Sequence, residues 1–214
     1  MARTYIKKLP LKSGKDQKVW VEELGNPDRI KWWQRYVQPE IAKLDQPDKN
    51  WNWKKLYSRR LLFPAKEPRF FALCMKGDEQ EIVLSLCYCL CVEQFPVDLE
   101  KESLFVWYIS RAPKQAIGKF TELQKIPGLL GQGSLDATLV KSLAKGHNGR
   151  VWLHADGKGG KDLLNTYISW GMTKIPKTTS IYRFGVECND GRYLFFDEHQ
   201  AESAMSEFDI YRGA

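Results

Sequence analysis

Apolar residues recur every three or four positions at Ile30, Trp33, Val37, Ile41 and Leu44, the spacing of one buried helical face. Asn26-Pro27-Asp28 opens that helix with a cap residue, a proline at the first helical position and an acid in the first turn. Pro39 is expected to kink or split it. Asp45 to Asn52 is a polar turn region, and Trp53, Leu56 and Tyr57 predict a second helix ending near Arg59-Arg60.

From Arg69 the pattern shifts to strands. Arg69 to Met75 and Glu81 to Val92 flank a turn at Lys76-Gly77-Asp78-Glu79, and the second run is apolar on both faces, as in the middle of a sheet. Glu93 to Glu102 is expected as a connection. Leu104 to Ile109 is a further buried strand, and Lys114 to Pro127 a basic link. Leu135, Leu139, Val140 and Leu143 then mark a helical face over Leu135 to Lys145. Arg150 to Ala155 reads as a strand, and Asp156 to Gly160 as a flexible turn. Lys161 to Trp170 is a helix stopped by Gly171. Ile181 to Glu187 and Arg192 to Phe196 flank Asn189-Asp190-Gly191, a hairpin signal. A closing helix carries Ala201, Ala204, Met205 and Phe208. The order predicts an α+β fold: a mixed, mostly antiparallel sheet flanked by helices, with a helical N-terminal region. Residues 1–18, rich in lysine, are expected to be a loose end, although Lys18 to Glu22 suits a first strand.

Composition narrows the class. With 214 residues, 43% hydrophobic and 13% aromatic, the chain can pack a core and is not of disordered type. Its longest apolar run, Ile82 to Val92, is too short to span a bilayer, and the first residues carry no signal core. A cytoplasmic protein with no membrane partner is expected. Cys87, Cys89 and Cys91 alternate along a strand, so their α-carbons lie about 6.6 Å apart in a line and do not converge on a metal. They read as reduced core residues, and no metal is expected. The net charge of +7 suits an anionic ligand, an acidic substrate or nucleic acid alike.

The chemistry-bearing stretch is Gly128-Leu129-Leu130-Gly131-Gln132-Gly133-Ser134, a glycine loop between strand and helix. First-turn amides have no intrahelical partner, the helix dipole adds positive potential, and glycine lets a backbone approach a phosphate. Gly131 to Ser134 therefore form a candidate phosphate site; a plain loop with Ser134 as N-cap is the competing reading.

These residues resemble the GNAT acetyltransferase superfamily, most clearly from Leu104 to Met172 and more loosely from Arg69 to Phe196. The strand Leu104 to Ile109 entering Ala112-Pro113 is similar to the family's fourth strand, whose exposed backbone pairs with the pantetheine arm of acetyl-CoA. Gly131-Gln132-Gly133 is similar to the pyrophosphate loop, normally Gln/Arg-x-x-Gly-x-Gly/Ala. Leu163 to Met172 resembles the "LL-x-x-Tyr-x-x-x-Gly-Phe" helix end.

The resemblance implies an acetyl-CoA-dependent N-acetyltransferase acting on a primary amine by direct transfer. It implies one domain, with residues 1–62 as a loose end and helical acceptor-side lid and 63–214 as the sheet core. Tyr167 becomes the general acid for the departing thiolate, against the alternative of a core tyrosine with a satisfied hydroxyl. A backbone N–H among Ile109, Ser110 and Arg111 becomes the oxyanion donor, on a strand that a bulge would splay. Gly131, Gln132, Gly133 and Ser134 hold the pyrophosphate, and Lys114, Lys119 or Arg111 meets the 3′-phosphate. His154, Glu187, Glu93 and Asp156 are the side chains on offer as base, with an ordered water as the alternative. Two positions depart from the family pattern: Gly128 replaces the first loop residue, and Gly160 an asparagine seven residues before the tyrosine.

Two other readings compete. Trp20, Trp32, Trp33, Trp51 and Trp53, interleaved with Lys31, Arg35, Lys54 and Lys55, suit a nucleic-acid-associated module, or else helix core with solvated lysines behind it. Gly128 and Gly160 suit a catalytically inactive interaction protein that keeps the fold. The acceptor classes left open are a small molecule, a protein amine and an aminoacyl-RNA.

Overall fold

The computed structural model describes residues 3–183 and 186–213, with Arg183 described in its backbone alone. The described strands are β1 (Lys8–Pro10), β2 (Asp16–Glu23), β3 (Pro68–Lys76), β4 (Glu81–Phe95), β5 (Asp98–Arg111), β6 (Val151–His154), β7 (Thr173–Lys174), β8 (Tyr182–Arg183), β9 (Val186–Glu187) and β10 (Tyr193–Phe196). The helices are α1 (Asp28–Tyr36), α2 (Gln38–Ile41), α3 (Trp53–Arg59), α4 (Lys114–Ile117), α5 (Leu130–Ala144), α6 (Gly160–Ser169) and α7 (Glu198–Phe208). Eight strands form one sheet in the order β1-β2-β3-β4-β5-β6-β10-β7. Only the β5–β6 pairing in it is parallel.

The N-terminal stripe folds as its spacing predicts. Ile30, Trp33, Val37 and Ile41 are buried, and Pro39 divides the stripe into α1 and α2. Asn26 accepts a hydrogen bond from the Asp28 amide at 3.0 Å, although Pro27 occupies the cap position itself. Of the two readings of the N-terminal tryptophans, the structure agrees with core packing. Trp33 and Trp53 are fully buried and meet edge to face at 6.2 Å, while Trp20, Trp32 and Trp51 pack half-buried against the same cluster. Aromatic burial on this scale outweighs any display to solvent.

Four elements differ from the sequence pattern. Residues 6–10, expected as a loose end, bury Ile6 and Leu9, and β1 pairs with β2. Glu93 to Glu102, expected as a connection, extends β4 and β5 into a long hairpin. Phe95 is buried against Phe195 while Val97 and Leu99 are exposed, and Pro96 among the acids reads as a loop rather than as two paired strands. Around Asn189–Gly191 no hairpin joins the predicted strands: β8 pairs with β9, while β10 inserts between β6 and β7. Leu194 and Phe196 seek two-sided burial there, whereas Tyr182 and Val186 are exposed; Phe184 and Gly185 of the predicted strand lie outside the described residues. Finally, α5 begins at Leu130 rather than Leu135.

Candidate active site

The site begins with a bulge. Tyr88 pairs with Tyr108, but its neighbour Cys89 pairs with Val106, so Trp107 is an extra residue in β5. On the other side, β6 pairs with β5 only at Leu104, Phe105 and Val106. Past the bulge β5 has no further pair with β6, which ends at His154, so Ile109 to Arg111 form an unpaired edge beside the gap this leaves. The Ala112 amide donates to Leu84 on the β4 side, so by strand alternation the Ile109 and Arg111 amides point into the gap.

Two groups face that gap from opposite sides of the sheet. Tyr167 on α6 belongs to the cluster containing Cys87 and flanked by Ile109. It is 5% exposed, and its hydroxyl makes no hydrogen bond to a described residue. Burial pushes that hydroxyl well above the ordinary tyrosine range, with Cys87 and Asp48 adding to the shift, so it stays protonated. On the other face, the turn Pro47–Asn50 carries Asp48, whose carboxylate accepts a hydrogen bond from Ser110 Oγ. Trp51 seats this turn by packing edge to face on Tyr108 at 4.7 Å, and Gln38 Nε2 donates to the Asp48 carbonyl at 2.9 Å. Burial raises Asp48 from its ordinary value, while Ser110 and Arg111 oppose the rise. The same turn also packs against Gly157–Gly159, the loop that follows β6, and so bridges both arms of the gap. Asp48 is not legible in the sequence because it sits in a polar turn without periodicity; the flanking tryptophans are the only sign that the turn faces inward.

The glycine loop lies close by and differs in detail from expectation. Because α5 starts early, the Gly133 amide bonds Leu129 O at 2.8 Å and Ser134 lies inside the helix. Ser134 Oγ donates to Ser85 Oγ at 2.7 Å, and Ser85 Oγ to Ser110 O at 2.7 Å, so both hydroxyls serve the core. The open donors are instead the amides of Leu129, Leu130, Gly131 and Gln132, since no side chain caps the helix. Leu129 takes the left-handed φ of 56° that turns the chain into the helix. Trp170 lies against Gly131 so closely that a β-carbon there would stand 2.6 Å from the ring; only glycine fits beneath it.

The cations sort themselves. Lys119 is held by Glu40 at 2.6 Å. Lys114 lies beside Lys12, a neighbour that spacing does not reveal, and repulsion from Lys12 lowers Lys114 from its ordinary value. The Gly128 amide bonds Pro10 O at 2.9 Å, which places the Lys12 segment next to the helix start. Two mutually repelling ammonium groups near four open amides fit an anionic group such as a diphosphate.

The remaining candidates sit as follows. His154 bonds Asp190 Oδ2 through Nε2 at 3.0 Å, and its ring lies tilted against Tyr193 at 4.6 Å. Although burial pushes it up, the His154 hydrogen bond holds the Asp190 carboxyl below its ordinary value. Glu187 is exposed on β9, Glu93 pairs with Lys66 at 3.0 Å, and Asp156 caps the turn after β6 through the Lys158 amide. At Gly160 a φ of 59° requires glycine, and Arg192 Nη2 donates to its carbonyl at 2.7 Å. The departure there serves the turn.

No family model matches the sequence, and no curated protein matches it. Solved structures do. AtaTR bound with AcCoA superposes at a TM-score of 0.51 with 17% identity, over 86% of this chain and 96% of that one. The AtaT toxin variant bound to the C-terminus of the antitoxin AtaR gives 0.52 and 16%, over 90% and 100%. A GNAT-family acetyltransferase from Staphylococcus aureus Mu50 gives 0.51 and 11%, over 84% and 99%. The fold is the GNAT fold. The identities are too low to carry a substrate across. Among the described residues no His, Cys, Asp and Glu cluster could hold a metal, and no helix is long and apolar enough to cross a membrane.

The five cysteines are free, four buried and Cys188 half-buried. Burial pushes the Cys87 thiol up, which removes it as a nucleophile. In the native protein an alkylating reagent is expected to label Cys188 and spare Cys87, Cys89 and Cys91, read by peptide mass spectrometry.

Proposed function

We propose that the protein is an acyl-CoA-dependent N-acetyltransferase that passes an acetyl group directly from acetyl-CoA to a primary amine. The carrying observation is the β5 edge at Ile109 to Arg111, which β6 leaves behind and which opens towards the uncapped start of α5. An extended pantetheine arm suits the edge, and a diphosphate suits the amides of Leu129 to Gln132 with Lys12 and Lys114. The chain's likeness to AtaTR, solved with AcCoA bound, supports this reading.

In it, the Ile109 N–H polarises the thioester carbonyl and Tyr167 protonates the leaving sulfur. Holding both reactants along one edge removes much of the entropic barrier, about 7–11 kcal/mol in well-oriented cases. The helical segment from α1 to Leu62, whose Asp48 and Trp51 meet Ser110 and Tyr108, forms the acceptor side.

Titration calorimetry with acetyl-CoA tests the proposal. Saturable binding is expected, with thermal stabilisation of roughly 2.7 kcal/mol at a hundredfold excess over Kd. Lys12→Glu with Lys114→Glu is expected to weaken binding at least tenfold, an effect that high salt diminishes (about 1.4 kcal/mol). Absence of binding by the unaltered protein would remove the proposal.

A further inference from the structure

Asp48 is a carboxylate with an unusual setting. It is 8% exposed, and its side-chain partner is a neutral hydroxyl, Ser110 Oγ, with no lysine or arginine in ion-pair contact among the described residues. A buried carboxylate without a cation is costly to maintain, and such groups concentrate where a cation or a proton is handled. The turn that carries it is seated by aromatic packing and by Gln38, so the position is built.

Asp48 lies across β5 from Tyr167. Tyr108 and Ser110 share one face of the strand, and Ile109 looks to the other, where Tyr167 lies. Beyond Val106, where β5 has no further pair with β6, Asp48 contributes to the electrostatic surroundings of Tyr167. A permanent acid and a carboxylate therefore flank the amides of Ile109 and Arg111. Among the charged groups around Asp48, Arg111 on β5 favours the carboxylate, Lys49 turns away to Asp45 at 2.9 Å, and Lys158 is exposed on the loop after β6.

We infer that Asp48 is the catalytic base of the transfer: it receives the acceptor as an ammonium ion and removes one of its protons. The inference rests on the acetyltransferase reading above. The substrate class it implies is a primary amine that arrives as its ammonium ion, the charge that the Asp48 carboxylate would receive. One N–H proton of the ammonium passes to Asp48, and the freed nitrogen pair bonds to the thioester carbonyl carbon. The carbonyl electron pair moves to oxygen beside the Ile109 N–H and returns as the C–S bond breaks. The sulfur takes the Tyr167 proton, the nitrogen gives its second proton to the tyrosinate, and Asp48 returns its proton to water.

The test compares two nucleophiles with Asp48→Asn, which keeps the shape and the bond to Ser110. Ethylamine is cationic near neutral pH and needs a base, whereas hydroxylamine is already neutral. Thiol release from acetyl-CoA is measured with each, corrected for the uncatalysed reaction, and acetyl-CoA binding is measured in parallel. The variant is expected to bind acetyl-CoA as before, to lose transfer to ethylamine by about 10²-fold or more, and to keep transfer to hydroxylamine. Equal losses with both nucleophiles, or no loss with either, would overturn the assignment and leave the acetyltransferase reading standing. Failure of the unaltered protein to transfer to either amine would sink both.

Discussion

Tyr167→Phe is expected to lower the turnover of acetyl transfer by roughly 10²–10⁴-fold while leaving acetyl-CoA affinity and the unfolding midpoint near their original values. The hydroxyl bonds no described residue, so its removal breaks no structural contact. Its ring packs edge to face on Trp170 at 5.4 Å, and phenylalanine keeps that contact. What the variant loses is a proton. A thiolate leaving a thioester collapses back unless it is protonated, and this buried hydroxyl is held above its ordinary range, hence fully loaded at neutral pH. Thiol release in single-turnover experiments reads the step directly. Unchanged turnover in the variant would assign Tyr167 to the core and leave sulfur protonation to water.

The parts of this site differ in how visible they are in sequence. Helix stripes and buried strands announce themselves by period, so α1, β3, β4 and the α6 helix with its stop at Gly171 follow from spacing alone. The glycine loop is visible as composition, but its helix register is not. Three glycines before an apolar stripe read as loop, whereas Gly131 is helical and leaves room for Trp170. Asp48 and Lys12 are hidden for a different reason. Each acts through a neighbour far along the chain, Ser110 and Lys114, and no local pattern encodes that distance. The N-terminal tryptophans show the converse. Their sequence context suits display and core packing alike, and the structure decides for packing: Trp33 and Trp53 are buried, and Trp20, Trp32 and Trp51 pack half-buried against the same cluster.

Arg212→Met is expected to destabilise the fold by about 3–5 kcal/mol at neutral pH, the largest single effect on stability among these variants. Arg212 makes a bidentate pair with Asp136 on α5, and the two residues are 8% and 2% exposed. Arg212 also donates to the Thr4 carbonyl at 2.6 Å, so the pair ties the segment at Thr4 and the segment after α7 to α5. Burial pushes Asp136 up to about 6 despite Arg212, which shows how heavily the enclosure weighs against the charge. Without the guanidinium the carboxyl rises further. A folded-state value above the unfolded one means that the folded form holds the proton more tightly. The variant's stability from this group is then fully present below the unfolded pKa, near 3.9, and is lost as pH rises through the folded value. The deficit of Arg212→Met should accordingly shrink from neutral pH towards about pH 5, and urea unfolding at the two values measures it. Replacing both partners by apolar residues, Asp136→Leu with Arg212→Met, should recover most of the loss, because no charge remains to be buried. A deficit that stays constant with pH, or that the double variant fails to recover, would mean that Arg212 acts through its packing and its bond to Thr4 rather than through Asp136.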